Sequence, residues 1–70
     1  PNPATTTLNI ETQNDNEKTI SVTDMIGQEV MKINSNEQLI SLQITYLPAG
    51  TYFITIIENK GVSTHQFIKK

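Results

Sequence analysis

The sequence predicts an all-β domain folded as a two-sheet sandwich, and three observations carry that prediction. Apolar residues recur at every second position along most of the chain. The content of threonine, isoleucine and valine is high, which favours strands over helices. Gly27, Gly50 and Gly61, the only glycines, all fall where a turn would reverse the chain. No window of about a dozen residues sustains a helical period.

Six strands follow in order, at about residues 6–12, 18–24, 29–33, 38–45, 51–58 and 62–69. In the first, Leu8 and Ile10 alternate with Asn9 and Glu11. In the second, Ile20 and Val22 alternate with Ser21 and Thr23. Asp24-Met25-Ile26-Gly27 then supplies a hairpin. Asp24 suits its first position, and Gly27 takes the left-handed conformation that closes the turn through a bulge into the strand around Val30. The fourth strand buries Ile40, Leu42 and Ile44 and exposes Ser41, Gln43 and Thr45. Leu47-Pro48-Ala49-Gly50 reads as a type I turn, with proline at the position that wants its fixed φ and glycine at the exit. The fifth strand carries Tyr52, Ile54 and Ile56 on one face and Phe53, Thr55 and Ile57 on the other, which makes it the central strand of its sheet. Glu58-Asn59-Lys60-Gly61 repeats the hairpin device before the sixth strand.

Composition bounds what such a domain can do. With 70 residues and no cysteine it must hold together by packing alone, at a stability of roughly 4–10 kcal/mol. A net charge of -2 with five basic residues gives no field for nucleic acid, and no apolar run is long enough for a transmembrane helix. The threonine- and asparagine-rich surface suits a secreted protein, although composition leaves the compartment open. The chain begins at Pro1 and shows no signal-peptide pattern, so it reads as one domain, residues 1–70, excised from the end of a longer polypeptide.

Catalytic and metal readings find little support. His65 is the only histidine, and Ser63 shares its strand face, but no orienting acid or oxyanion hole accompanies them. Asn14-Asp15-Asn16-Glu17 is dense in oxygen ligands, yet it lacks the glycine and distal glutamate of a dedicated calcium loop and reads as a polar connection. No cofactor is implied. The expectation is therefore a domain that is recognised by something else, not an enzyme.

Several pieces in sequence resemble one family. Pro1-Asn2-Pro3 ahead of an alternating strand, the run from Ile20 through Asp24 and Gly27 to Val30, the run Leu47-Pro48-Ala49-Gly50-Thr51-Tyr52-Phe53-Ile54, and the basic end Phe67-Ile68-Lys69-Lys70 are together similar to the C-terminal sorting domain of type IX (Por) secretion cargo, type A. The resemblance covers the whole chain. It implies an immunoglobulin-like antiparallel β-sandwich of about six to seven short strands that follows a cargo domain in cis. It also implies passage of that cargo from the periplasm across the outer membrane to the cell surface or medium. The partners it implies are an outer-membrane translocon or shuttle and a sortase-like peptidase that removes the domain as the cargo is anchored or released. Many members place a lysine within the last strand, where this chain has His65-Gln66.

Against that background the candidate residues divide in two. Asp24, Gly27, Gly50, Tyr52 and Gly61 are read as makers of turns and core, and Pro1, Asn2 and Pro3 as the start of the domain after a linker. Phe67, Ile68, Lys69 and Lys70 are the candidate recognition segment, with Lys69 and Lys70 foremost. A receptor would extend the sheet from the last strand or capture the terminal carboxylate while acidic groups meet the lysines. The alternative is a fibronectin-like or immunoglobulin-like accessory module acting as a spacer or carbohydrate binder. For sugar binding the aromatic supply is Tyr46, Tyr52, Phe53 and Phe67 alone. A free-standing enzyme is the third class.

Overall fold

The computed structural model describes residues 6–70, so Pro1, Asn2 and Pro3 lie outside the described residues. Among the described residues six strands follow one another: β1 (Thr7–Glu11), β2 (Lys18–Thr23), β3 (Glu29–Ser35), β4 (Leu39–Gln43), β5 (Gly50–Glu58) and β6 (Gly61–Lys69). All pairings are antiparallel and form two sheets, β1-β4 and β3-β2-β5-β6. The larger sheet has the order of the G-F-C-C′ sheet of a variable-type immunoglobulin domain, and the pair β1-β4 stands where strands B and E do.

Alternation decides which faces meet. Ile20 and Val22 of β2, Tyr52, Ile54 and Ile56 of β5 and Phe67 of β6 point inward from the larger sheet. Leu8 of β1 and Ile40 and Leu42 of β4 close on them from the smaller one, with Ile44 and Leu47 filling the end. A one-residue slip in any of these strands would turn its apolar set to water, so the buried face fixes the register.

The first hairpin takes the expected form. The Gly27 amide donates to the Asp24 carbonyl at 3.1 Å, and the Asp24 amide to the Gln28 carbonyl at 3.0 Å. Gly27 has φ +88° and a Cβ there would touch nothing, so glycine is required by the backbone conformation and not by space. The pairing then skips Val30, giving the bulge. In the last hairpin Glu58 pairs with Gly61, so Asn59 and Lys60 alone make the connection. No non-glycine residue among those described has positive φ, so this turn is not of the primed types and does not repeat the first device.

One further expectation is corrected. The hydrogen-bonded turn before β5 is not Leu47–Gly50 but Ile44–Leu47, where the Leu47 amide donates to the Ile44 carbonyl at 3.0 Å. Leu47 is drawn into the core, and Pro48-Ala49 is left as the crossing from one sheet to the other. β5 is central, between β2 and β6, as expected, and on its outer face Ile57 is exposed and Phe53 half-buried. The apolar residues there make cross-strand pairs, such as Ile57 with Val62, rather than a second core.

Candidate recognition surface

The segments singled out in the sequence converge at one end of the sandwich. Gly50 pairs with Lys69, Thr51 with Ile68 and Tyr52 with Phe67, which sets the run from Leu47 to Tyr52 beside the C-terminal residues. The β2–β3 hairpin lies against the same corner, where Asp24, Met25 and Ile26 face Ala49, Gly50 and Thr51 across a shallow cleft.

Tyr52 explains why the sheet crossing has this sequence. Its ring stacks on Phe67 with centroids 5.4 Å apart and planes 20° from parallel. Its hydroxyl donates to the Pro48 carbonyl at 2.6 Å, four residues back. This is the tyrosine corner of immunoglobulin-like sandwiches, set where the chain leaves one sheet and enters the next. Tyr52→Phe keeps the ring and removes only this bond, so a loss of about 0.5–1.5 kcal/mol in denaturant unfolding is expected. An unchanged midpoint would show that the corner contributes nothing.

Asp24 is likewise engaged locally. Its Oδ1 accepts from the amides of Ile26 at 3.1 Å and Gln28 at 2.9 Å, which holds the hairpin tip in one conformation. The tip then presents Met25 and Ile26 to solvent, 70% and 85% exposed. Asp24 and Gly27 stand out in the sequence by their turn chemistry, and the two apolar residues between them do not. The available signal was two apolar side chains at turn positions that polar residues normally occupy.

The four candidate recognition residues alternate in orientation. Phe67 is buried in the core, and Lys69, 8% exposed, faces inward with its Nζ donating to the Lys70 carbonyl at 3.0 Å. Ile68 and Lys70 face outward and are exposed. Of the two lysines expected to carry the signal, only Lys70 presents its charge freely to a partner.

At the far end the Asn14–Glu17 loop turns its oxygens onto a cation of the chain's own. Lys18 Nζ donates to the carbonyls of Asn16 at 2.7 Å, Asn14 at 3.1 Å and Glu37 at 3.3 Å. Ser63 and His65 do share an inward-facing register on β6, opposite Ile56 and Ile54, and both are exposed. Among the aromatics, Tyr46 is exposed, Phe53 half-buried, and Tyr52 and Phe67 belong to the core.

Charge is divided between the two ends. Of the seven carboxylates, Glu11, Asp15, Glu17, Glu37 and Glu58 lie on the loops and strand ends around Lys18. Asp24 is tied to the hairpin amides, and Glu29 Oε2 accepts from the Ser21 hydroxyl at 2.6 Å. The end that carries Met25, Ile26, Ile68 and Lys70 is therefore the less acidic one.

A comparison with curated proteins gave no match. A family model described as the secretion system C-terminal sorting domain matches residues 1–70, the whole chain. The chain belongs to that family, the C-terminal sorting domains of type IX secretion.

Proposed function

We propose that this domain carries its upstream cargo through the periplasm to the type IX translocon, and that a sortase-like peptidase then removes it as the cargo is anchored at the surface or released. The family match over residues 1–70 carries this reading. The segment read by the machinery is the C-terminal one. Ile68 and Lys70 offer an apolar and a cationic contact, while Phe67 and Lys69 hold the strand in register from inside. Phe67 to Lys70 thus act as a unit in which two residues build and two are read.

The test is a fusion of residues 1–70 to the C-terminus of a periplasm-targeted reporter in a host with a type IX system. The wild-type domain is expected to bring the reporter to the surface and to be lost from it on the way. An Ile68→Asp/Lys70→Glu variant, changed only at exposed positions, is expected to leave the reporter in the periplasm. Retention of the wild-type fusion in the periplasm would overturn the reading. Surface delivery with the domain still attached would remove the peptidase step alone.

A further inference from the structure

We propose that the β2–β3 hairpin tip is a second half of the recognition surface, and that Met25 and Ile26 enter an apolar groove on a protein of the secretion machinery. The inference rests on the sorting function proposed above and extends it to residues far from the C-terminus in sequence.

Exposure is the first argument. Met25 and Ile26 are the most exposed large apolar side chains among those described, on a domain with few core residues to spare. Turn positions normally take Gly, Asn, Asp or Ser, so two apolar residues here bring no folding advantage. Preorganisation is the second. The Asp24 carboxylate accepts from two tip amides and Gly27 closes the turn, so little conformational freedom remains to be lost on binding. Position is the third. The tip borders Ala49, Gly50 and Thr51, and the last two pair directly with Lys69 and Ile68, so hairpin and C-terminal segment form one continuous corner.

Charge selects the partner. At this corner the carboxylates of Asp24 and Glu29, whose hydrogen-bond donors are neutral, stand against the ammonium groups of Lys69 and Lys70, and the remaining acidic side chains lie at the other end. With no excess of positive charge, the exposed apolar pair complements an apolar protein groove and not an anionic surface. A rigid tip next to a cleft suits a shaped protein surface better than a lipid bilayer, for which one freely exposed lysine is a weak electrostatic anchor.

The experiment uses the same reporter fusion with Met25→Asp/Ile26→Asp. The matched control is Val62→Asp, at a residue 65% exposed at the opposite end of β6. The hairpin variant is expected to lower surface delivery by about tenfold, as for loss of an apolar anchor, with thermal melting unchanged. Val62→Asp is expected to deliver normally. Should the charged variant melt early, Met25→Gln/Ile26→Gln tests the same contact without added charge. Normal delivery by a folded hairpin variant, or equal loss from Val62→Asp, would overturn the proposal while leaving the sorting function standing. Failure of the wild-type fusion would remove both. Binding of the wild-type domain to vesicles of phosphatidylethanolamine and phosphatidylglycerol, lost in the hairpin variant, would assign the tip to a membrane and overturn the protein groove.

Discussion

Phe67→Ala is expected to unfold the domain. Phe67 is 2% exposed, sits opposite Tyr52 in the β5–β6 pairing and stacks on its ring. Removing a buried phenyl ring costs about 3–5 kcal/mol through lost transfer energy and the cavity left behind. A chain of 70 residues has roughly 4–10 kcal/mol in total, so the variant consumes much or all of it. The check is the thermal or denaturant transition of Phe67→Ala beside that of Ile68→Ala, whose side chain is exposed and whose loss should change little. A Phe67→Ala chain that melts like the wild type would show that the C-terminal segment is not part of the core. The consequence for function is direct. A deletion of the last four residues removes this core ring together with Lys70, so lost secretion after truncation cannot separate a damaged fold from a missing signal. Outward-facing substitutions can.

Much of this fold was legible because a strand with one buried face writes its orientation into every second residue. All six strands, the first hairpin with its bulge, and the inward residues Leu8, Ile20, Val22, Ile40, Leu42, Ile44, Tyr52, Ile54 and Ile56 follow from that rule and from turn chemistry. The order of strands was not legible, because antiparallel alternation looks the same whichever neighbour a strand pairs with. The turn before β5 was misplaced by three residues because Pro48 and Gly50 are strong turn signals, whereas the deciding facts are the burial of Leu47 and the bond from Tyr52. The central place of β5 was legible from apolar residues on both of its faces, and on the outer face Phe53 and Ile57 are satisfied by pairing along the sheet. In the candidate site, parity alone was enough to place Lys69 inside, since it shares the face of Phe67. The same parity places Lys18 with Ile20 and Val22, where it is the best-buried polar residue among those described.

Lys18→Met is expected to lower stability by about 2–3 kcal/mol, the second largest effect. Lys18 is 2% exposed, and its ammonium has no carboxylate partner in the contacts that hold it. Its three donors meet the carbonyls of Asn14, Asn16 and Glu37. Those carbonyls belong to the two connections that cross between the sheets at this end, from β1 to β2 and from β3 to β4. A second tie joins them where the Thr12 amide and hydroxyl both donate to the Gln38 carbonyl, at 2.7 Å and 2.8 Å. Methionine keeps most of the apolar stem but leaves three acceptors without their charged donor, and hydrogen bonds to charged groups contribute about 1.5–3 kcal/mol each before water compensates at the loop. Arginine should not rescue the loss, because a planar fork cannot aim three donors at carbonyls arranged around a point charge. Equilibrium unfolding of Lys18→Met and Lys18→Arg, with hydrogen exchange at the amides of Thr12 and Ile44, separates a local role from a global one. Faster exchange at Thr12 alone would mean that only the loops loosen. Equal acceleration at Ile44, whose amide donates to the Thr6 carbonyl at the other end, would mean that Lys18 helps hold the two sheets together. The second result is expected, because with so small a core each sheet crossing needs its own polar tie: Lys18 for the two at one end and the Tyr52 hydroxyl for the one at the other. Stability within 0.5 kcal/mol of the wild type in both variants would refute that division of labour.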